Sequence, residues 1–214
     1  MAVGHTCSKF AGNLRGGLTA VGIVALGLCA VWQPGPAEAD THSSDQAVFV
    51  FGGALVNDDM AATANLFGAD YEDNFLAGGG YQNFLFRDRL GFHYGLEVGG
   101  AARFGDNTSG EIWSGIVLRH EGVPVADTLH FSPSLTVGLS AVTETVGREA
   151  RNEIMDDGDA TLLFYLGPEI SVSGSSARET EFFWRLHHRS GAGGTLGDMR
   201  GAANANVFGF RSRF

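Results

Sequence analysis

The chain of 214 residues carries 14 basic against 24 acidic residues, for a formal charge of −10, and is rich in glycine. That balance excludes the basic footprint of a nucleic-acid binder, and the length suits one domain once any targeting segment is removed.

Residues 1–39 read as a secretory signal peptide. Lys9 and Arg15 give a positive start, Leu18–Trp32 is an apolar run, Pro34-Gly35-Pro36 breaks the chain, and Ala37-Glu38-Ala39 supplies a small-residue cleavage site. The apolar run is short for a transmembrane helix, which takes about 20 residues. A lipoprotein would want a small residue before Cys29, and Leu28 stands there. Cleavage after Ala39 removes Lys9, Arg15, Glu38 and both cysteines, Cys7 and Cys29, leaving 12 arginines against 23 acidic residues and a charge of −11. A cysteine-free chain suits an oxidising compartment without using disulfides.

From residue 40 onward no apolar run reaches the length of a membrane helix. Segments of about ten residues instead alternate with period 2, the pattern of a membrane β-barrel. In 129–141, Leu129, Phe131, Leu135, Val137, Leu139 and Ala141 share one face, and His130, Ser132, Ser134, Thr136, Gly138 and Ser140 the other. The stretch 92–104 sets Phe92, Tyr94, Leu96, Val98 and Phe104 against His93, Glu97 and Arg103. The stretch 162–172 sets Leu162, Phe164, Leu166, Ile170 and Val172 against Tyr165, Glu169 and Ser171; Ile112, Ile116 and Leu118 oppose Glu111, Trp113 and Arg119. Segments 47–56, 75–86, 180–189 and 203–214 complete eight strands, although the first two alternate too poorly to set their facing.

The reading is therefore all-β: an eight-stranded antiparallel up-and-down transmembrane β-barrel over residues 40–214. An even strand count places both termini on the periplasmic side. The outer loops then fall at 57–74, 105–110, 142–159 and 190–202, and the inner turns at 87–90, 121–127 and 174–179. Three of the four outer loops exceed every inner turn, as such barrels require. Phe208, Phe210 and Phe214 share one face of the last strand and Arg211 and Arg213 the other. A terminal aromatic of this kind is similar to the signal read by the barrel-assembly machinery, with Sec-type secretion to the periplasm before it and the cell outer membrane as destination. A lipocalin-like soluble barrel would bury the apolar face inside; the charges on the polar faces favour a lumen filled by paired side chains.

One strand carries candidate chemistry. In Glu181–Ser190 the lipid-facing parity is Phe182, Trp184, Leu186, His188 and Ser190, and the lumen parity Glu181, Phe183, Arg185, His187 and Arg189. His188 and Ser190 thus share the oily face with Cα atoms about 6.6 Å apart, near the outer-leaflet interface. Polar groups there cost only about 0–1 kcal/mol, so a plain girdle position accounts for them as well.

The run Arg185-Leu186-His187-His188-Arg189-Ser190, the glycine-rich loop after it and the ending Gly201–Phe214 resemble the outer-membrane lipid A 3-O-deacylase family, the PagL-type acyloxyacyl hydrolases; Leu166–Ile170 fits more loosely. The resemblance covers about the last fifty residues. It implies a His-x-Ser pair, here His188-Arg189-Ser190, that hydrolyses an acyl ester of lipid A from the barrel exterior without a cofactor. His188 is then the base, Ser190 the nucleophile, and backbone amides of Gly191–Gly194 the oxyanion donors. Two departures stand out. Gly191 follows the serine where the family has asparagine, and no glutamate follows Glu181, Ala202 standing roughly where the family has one. Asn204, on the lipid-facing parity, is the candidate orienting residue, with Asp198 of the loop as the other choice.

The rival reading is a non-catalytic small barrel with a structural or adhesive role. Acidic residues crowd the first outer loop (Asp58, Asp59, Asp70, Glu72, Asp73) and the third (Glu153, Asp156, Asp157, Asp159). Their spacing does not match a calcium loop, and a solvated acidic surface is expected. No histidine spacing closes a metal site. Gly78–Gly80 and Gly99-Gly100 fall inside strands, where glycine relieves barrel curvature more often than it binds ligand.

Overall fold

The computed structural model describes residues 45–214; the expected signal peptide lies outside the described residues. Nine strands and two helices follow one another: β1 (Gln46–Val56), α1 (Met60–Thr63), β2 (Tyr71–Arg87), β3 (Phe92–Phe104), β4 (Ser109–His120), β5 (Val123–Ala126), β6 (Leu129–Val142), α2 (Gly147–Asp156), β7 (Leu162–Gly174), β8 (Ala177–Ser190) and β9 (Ala202–Arg213). Eight of the strands pair antiparallel in sequence order and close through β4–β6 and β1–β9. The four-residue β5 is a hairpin arm on the foot of β6, with Val123 opposite Phe131. Both chain ends meet at one rim, where Gln46 and Phe214 exchange backbone hydrogen bonds of 3.3 and 2.9 Å. The opposite rim carries the long loops 57–70, 143–161 and 191–201 and the short turn 105–108.

The apolar face points outward. Val50 and Ile116 are each 64 % exposed, while Arg103, Arg119, Arg185, Arg189 and Arg211 are 2 % exposed or less. An oil-binding cup would show the reverse, so the lipocalin-like alternative falls. The poorly alternating first strand takes Ala47, Phe49 and Phe51 inward, with Val48 and Val50 outward.

The lumen is filled by arginine–glutamate pairs among aromatic rings. Arg185 bonds Glu97 at 2.8 and 2.9 Å and Glu169 at 2.9 Å, its guanidinium lying 4.9 Å from the Phe49 ring centre. Arg211 bridges Glu169 (2.7 Å) and Glu181 (3.2 Å), and Arg119 reaches Glu181 at 2.6 Å. Higher up, Glu111 meets His187 at 2.8 Å. Paired, hydrogen-bonded charges are the tolerated way to bury so many ions.

The strand glycines serve this packing. A Cβ at Gly80 would enter the Phe49 ring, one at Gly99 the Trp113 ring and one at Gly209 the Phe183 ring. Room for inward aromatics, more than curvature, is what these three positions supply.

The helices were absent from the sequence reading. α2 lies within the loop expected at 142–159 and closes the mouth over the lumen. Its Glu149 pairs with Arg103 at 2.8 Å and with Arg189. It opens at Gly147, whose φ is 59°, and is capped by Asp157 in the left-handed region at φ 52°. It escapes a periodicity search because what it buries is Glu149 and Asn152 rather than an apolar stripe.

Arg185→Leu strands Glu97 beside Glu169 in the dry lumen. Urea unfolding of the barrel in detergent micelles is expected to lose about 3–5 kcal/mol. Adding Glu97→Gln restores part of the loss, and an unchanged midpoint for the single variant would contradict a structural role for the network.

Candidate active site

The pairing of β8 places the residues singled out in the sequence. Ser173↔Glu181 and Glu169↔Arg185 lie on the lumen side of β7–β8, so period 2 turns His188 and Ser190 to the exterior near the long-loop rim. His188 stands opposite Asn204 of β9, and Ser190 opposite Ala202.

His188 and Asn204 are joined. His188 Nδ1 lies 2.6 Å from Asn204 Oδ1, and Asn204 Nδ2 donates to the Asp58 carbonyl at 2.8 Å. A carbonyl can take a hydrogen bond from the nitrogen of the Asn204 side chain but not from its oxygen, which turns Oδ1 to the imidazole and requires the hydrogen on Nδ1. Nε2 is then the unprotonated nitrogen. Arg148 of α2 also donates to the Asp58 carbonyl. Asp198, the other orienting candidate, sits exposed on its loop at φ 54° and makes no hydrogen bond to the imidazole.

Ser190 is placed differently. Its Oγ accepts from the Ala192 amide at 3.0 Å, and no hydrogen bond joins it to His188 among the described residues. Ala192 holds φ 51°, an unusual conformation for a residue with a side chain. Of the amides expected to face an oxyanion, that of Gly194 donates to the Met199 carbonyl at 2.9 Å and is taken. Gly193 is exposed at φ 71°. The departure at Gly191 has a steric cause, because a side chain there would run into the carbonyl oxygens of Leu196 and Met199.

The same device recurs one step deeper. Asn206 Oδ1 accepts from Trp184 Nε1 at 3.0 Å, and its Nδ2 donates to the Thr63 carbonyl at 2.9 Å and the Tyr71 hydroxyl at 3.1 Å. Two outward asparagines thus clamp loop 57–70 to the barrel wall. Asp58 and Arg148 could not be read from sequence, since one acts through its backbone and the other through a distant loop. Asn204 and Asn206 on a lipid-facing parity were the available signal, because unpartnered amides in lipid are costly.

The acidic loops are largely exposed, as expected of a solvated surface, and several of their carboxylates also make internal bonds. Asp58 accepts from the Asp70 amide (2.7 Å), Asp59 from the Ala62 amide (2.9 Å) and Glu153 from the Ala160 amide (2.9 Å). Glu72 accepts from the Arg148 amide at 2.6 Å. Asp156 accepts from the amides of Arg200 and Gly201 at 2.7 and 3.0 Å, tying the loop after Ser190 to α2.

The fold defines the class, a small barrel of the outer-membrane type. The structure is similar to that of the outer membrane enzyme PagL, with a TM-score of 0.50 and 12 % identity over 78 % of this chain and 99 % of that one. It is also similar to that of Neisserial surface protein A (TM-score 0.47, 9 % identity, 79 % of this chain and 96 % of that one). The N-terminal β-barrel domain of Pseudomonas aeruginosa OprF follows (TM-score 0.44, 12 %, 79 % and 96 %). Identities this low establish the architecture alone. No protein-family model and no curated protein matches the chain.

Two outcomes are expected. Nitrogen-15 spectra of labelled protein should show His188 protonated on Nδ1, with Asn204→Ala shifting population to the Nε2–H form; an Nε2–H form in the parent contradicts the assignment. The Gly201 and Arg200 amides hold the Asp156 carboxyl below the usual aspartate range. A depressed carboxyl contributes above its unfolded value and loses that contribution as pH falls through the folded one. Hydrogen exchange at Arg200 and Gly201 should therefore stay slow through mildly acidic pH and accelerate only in stronger acid, whereas Asp156→Ala should accelerate it at neutral pH.

Proposed function

We propose that this chain is an outer-membrane esterase that removes an ester-linked acyl chain from lipid A of lipopolysaccharide, with His188 as base, Ser190 as nucleophile and Asn204 as orienting residue. The observation that carries the reading is the hydrogen bond between His188 and Asn204 on the barrel exterior, with Ser190 two residues along the same face. The Ala192 amide bonds a lone pair of Ser190 Oγ and leaves the hydroxyl hydrogen for Nε2 of His188. A rotation about the serine side chain brings the two together. Nε2 takes that proton as Oγ attacks the ester carbonyl, and the Gly193 amide faces the developing oxyanion. The imidazolium returns the proton to the departing alkoxide oxygen as the ester C–O bond breaks, and water then releases the fatty acid by the reverse path. Asn204 aims the ring without the carboxylate charge that would stabilise imidazolium.

On this reading the chain leaves by the Sec route, sheds residues 1–39 and inserts through the barrel-assembly machinery. The exposed, outward Phe208, Phe210 and Phe214 of the final strand support that step.

A second reading has its own observation. Trp184–Asn206–Thr63 repeats the His188–Asn204–Asp58 arrangement with no chemistry in it, so the His188 pair also serves as a plain loop clamp on a structural barrel.

Mass spectrometry of lipid A from membranes carrying the protein separates the two. Loss of one ester-linked acyl mass is expected, with Ser190→Ala and His188→Ala slowing it by about a thousandfold or more. An unchanged profile beside a folded, inserted barrel selects the structural reading.

A further inference from the structure

Between Asp59 and Asp70 the first long loop reads Met-Ala-Ala-Thr-Ala-Asn-Leu-Phe-Gly-Ala, a stretch without a charge. It lies on the outside of the barrel. Val56, Leu186, Asn204 and Asn206 have outward parity yet are 2 % exposed or less, because α1 packs over this part of β9. Phe208, two residues further along β9, is 42 % exposed. The loop descends at least to Asn206, which bonds the Thr63 carbonyl and pairs with Leu186, two residues deeper than His188.

Six of the ten backbone amides of the stretch are partnered locally. Asp59 Oδ1 and its carbonyl accept from the amides of Ala62 and Thr63, each at 2.9 Å. Ala64 donates to Met60, Asn65 to Ala62, and both Gly68 and Ala69 to Asn65. The Thr63 hydroxyl donates to the Asp59 carbonyl at 2.7 Å. Amides partnered in this way lower the cost of contact with acyl chains, where no water completes them. Its outer surface presents Ala61, Ala62, Ala64, Gly68 and one polar residue, Asn65, and Phe67 stands wholly exposed at the tip.

We infer that residues 60–69 are immersed among the acyl chains of the outer leaflet, as a lipid-contacting wall that continues the apolar belt of β8 and β9. Resting on the proposed esterase reading, the same wall has a second use. An acyl chain whose ester lies at Ser190 runs inward past His188 along the exposed margin of this segment, beside Phe67. The wall then sets which chain length is accepted.

The test places a nitroxide at Phe67→Cys in full-length protein carrying Cys7→Ser and Cys29→Ser, purified from membranes and reconstituted in phospholipid vesicles. Labels at Leu139→Cys and Glu144→Cys mark the lipid and aqueous limits. Relaxation by oxygen at the Leu139 level is expected, and relaxation by a water-soluble nickel chelate at the Glu144 level overturns the inference. In the same vesicles, Phe67→Asp should lower the preference for long over short acyl esters by about tenfold, the scale set by one buried apolar side chain. An unaltered preference removes the chain-length role. Should the parent protein hydrolyse no ester, the esterase reading fails, while the oxygen and nickel results still decide whether the segment lies in lipid.

Discussion

Five buried arginines stand inside a closed barrel, each with a glutamate in reach. A lumen this narrow holds side chains instead of water, so each ion must find its partner on another strand or on α2. That requirement fixes register. A slip of one residue in β8 would carry Arg185, Glu181 and Arg189 into lipid and bring Trp184 and Phe182 into the lumen. The parity that sends those ions inward is the same parity that sends His188 and Ser190 outward. The exterior placement of His188 and Ser190 is therefore a geometric consequence of interior electrostatics.

The exterior has its own constraint, since a polar group facing lipid needs a partner. Asn204 and Asn206 answer it by bonding a side chain of β8 with their oxygens and a carbonyl of loop 57–70 with their nitrogens. One arrangement thus holds a loop, orients an imidazole and covers the polar stretch of the final strand. Arg148 and Glu149 join the two surfaces: adjacent on α2, one reaches the Asp58 carbonyl outside and the other fills the lumen mouth. A substitution in α2 is thereby felt on both sides of the wall.

The strands were legible because a barrel between lipid and ions writes its two faces as alternation. All eight long segments were found, and the unsettled facing of 47–56 traces to Gly52 and Gly53 and to inward Phe49 and Phe51, which look lipid-facing until their neighbours are known. Asn204 was legible as a polar residue on an oily parity, and the structure puts it against His188. α1 and α2 were not legible. One is four residues long, and the other buries a charge whose partner lies across the barrel. The apolar run 60–69 was hidden by the aspartates around it, and only its packing on β9 separates a lipid-facing wall from a solvated loop.

Reactivity of the serine itself tests the central claim that the exterior pair is chemically competent. Folded barrel in vesicles is treated with a long-chain fluorophosphonate, digested and mapped by mass spectrometry. One adduct on Ser190, lost in His188→Ala and reduced in Asn204→Ala, is the predicted result. No adduct on Ser190 in a barrel whose fold is intact would contradict the account and leave His188 and Asn204 as fasteners of the loop.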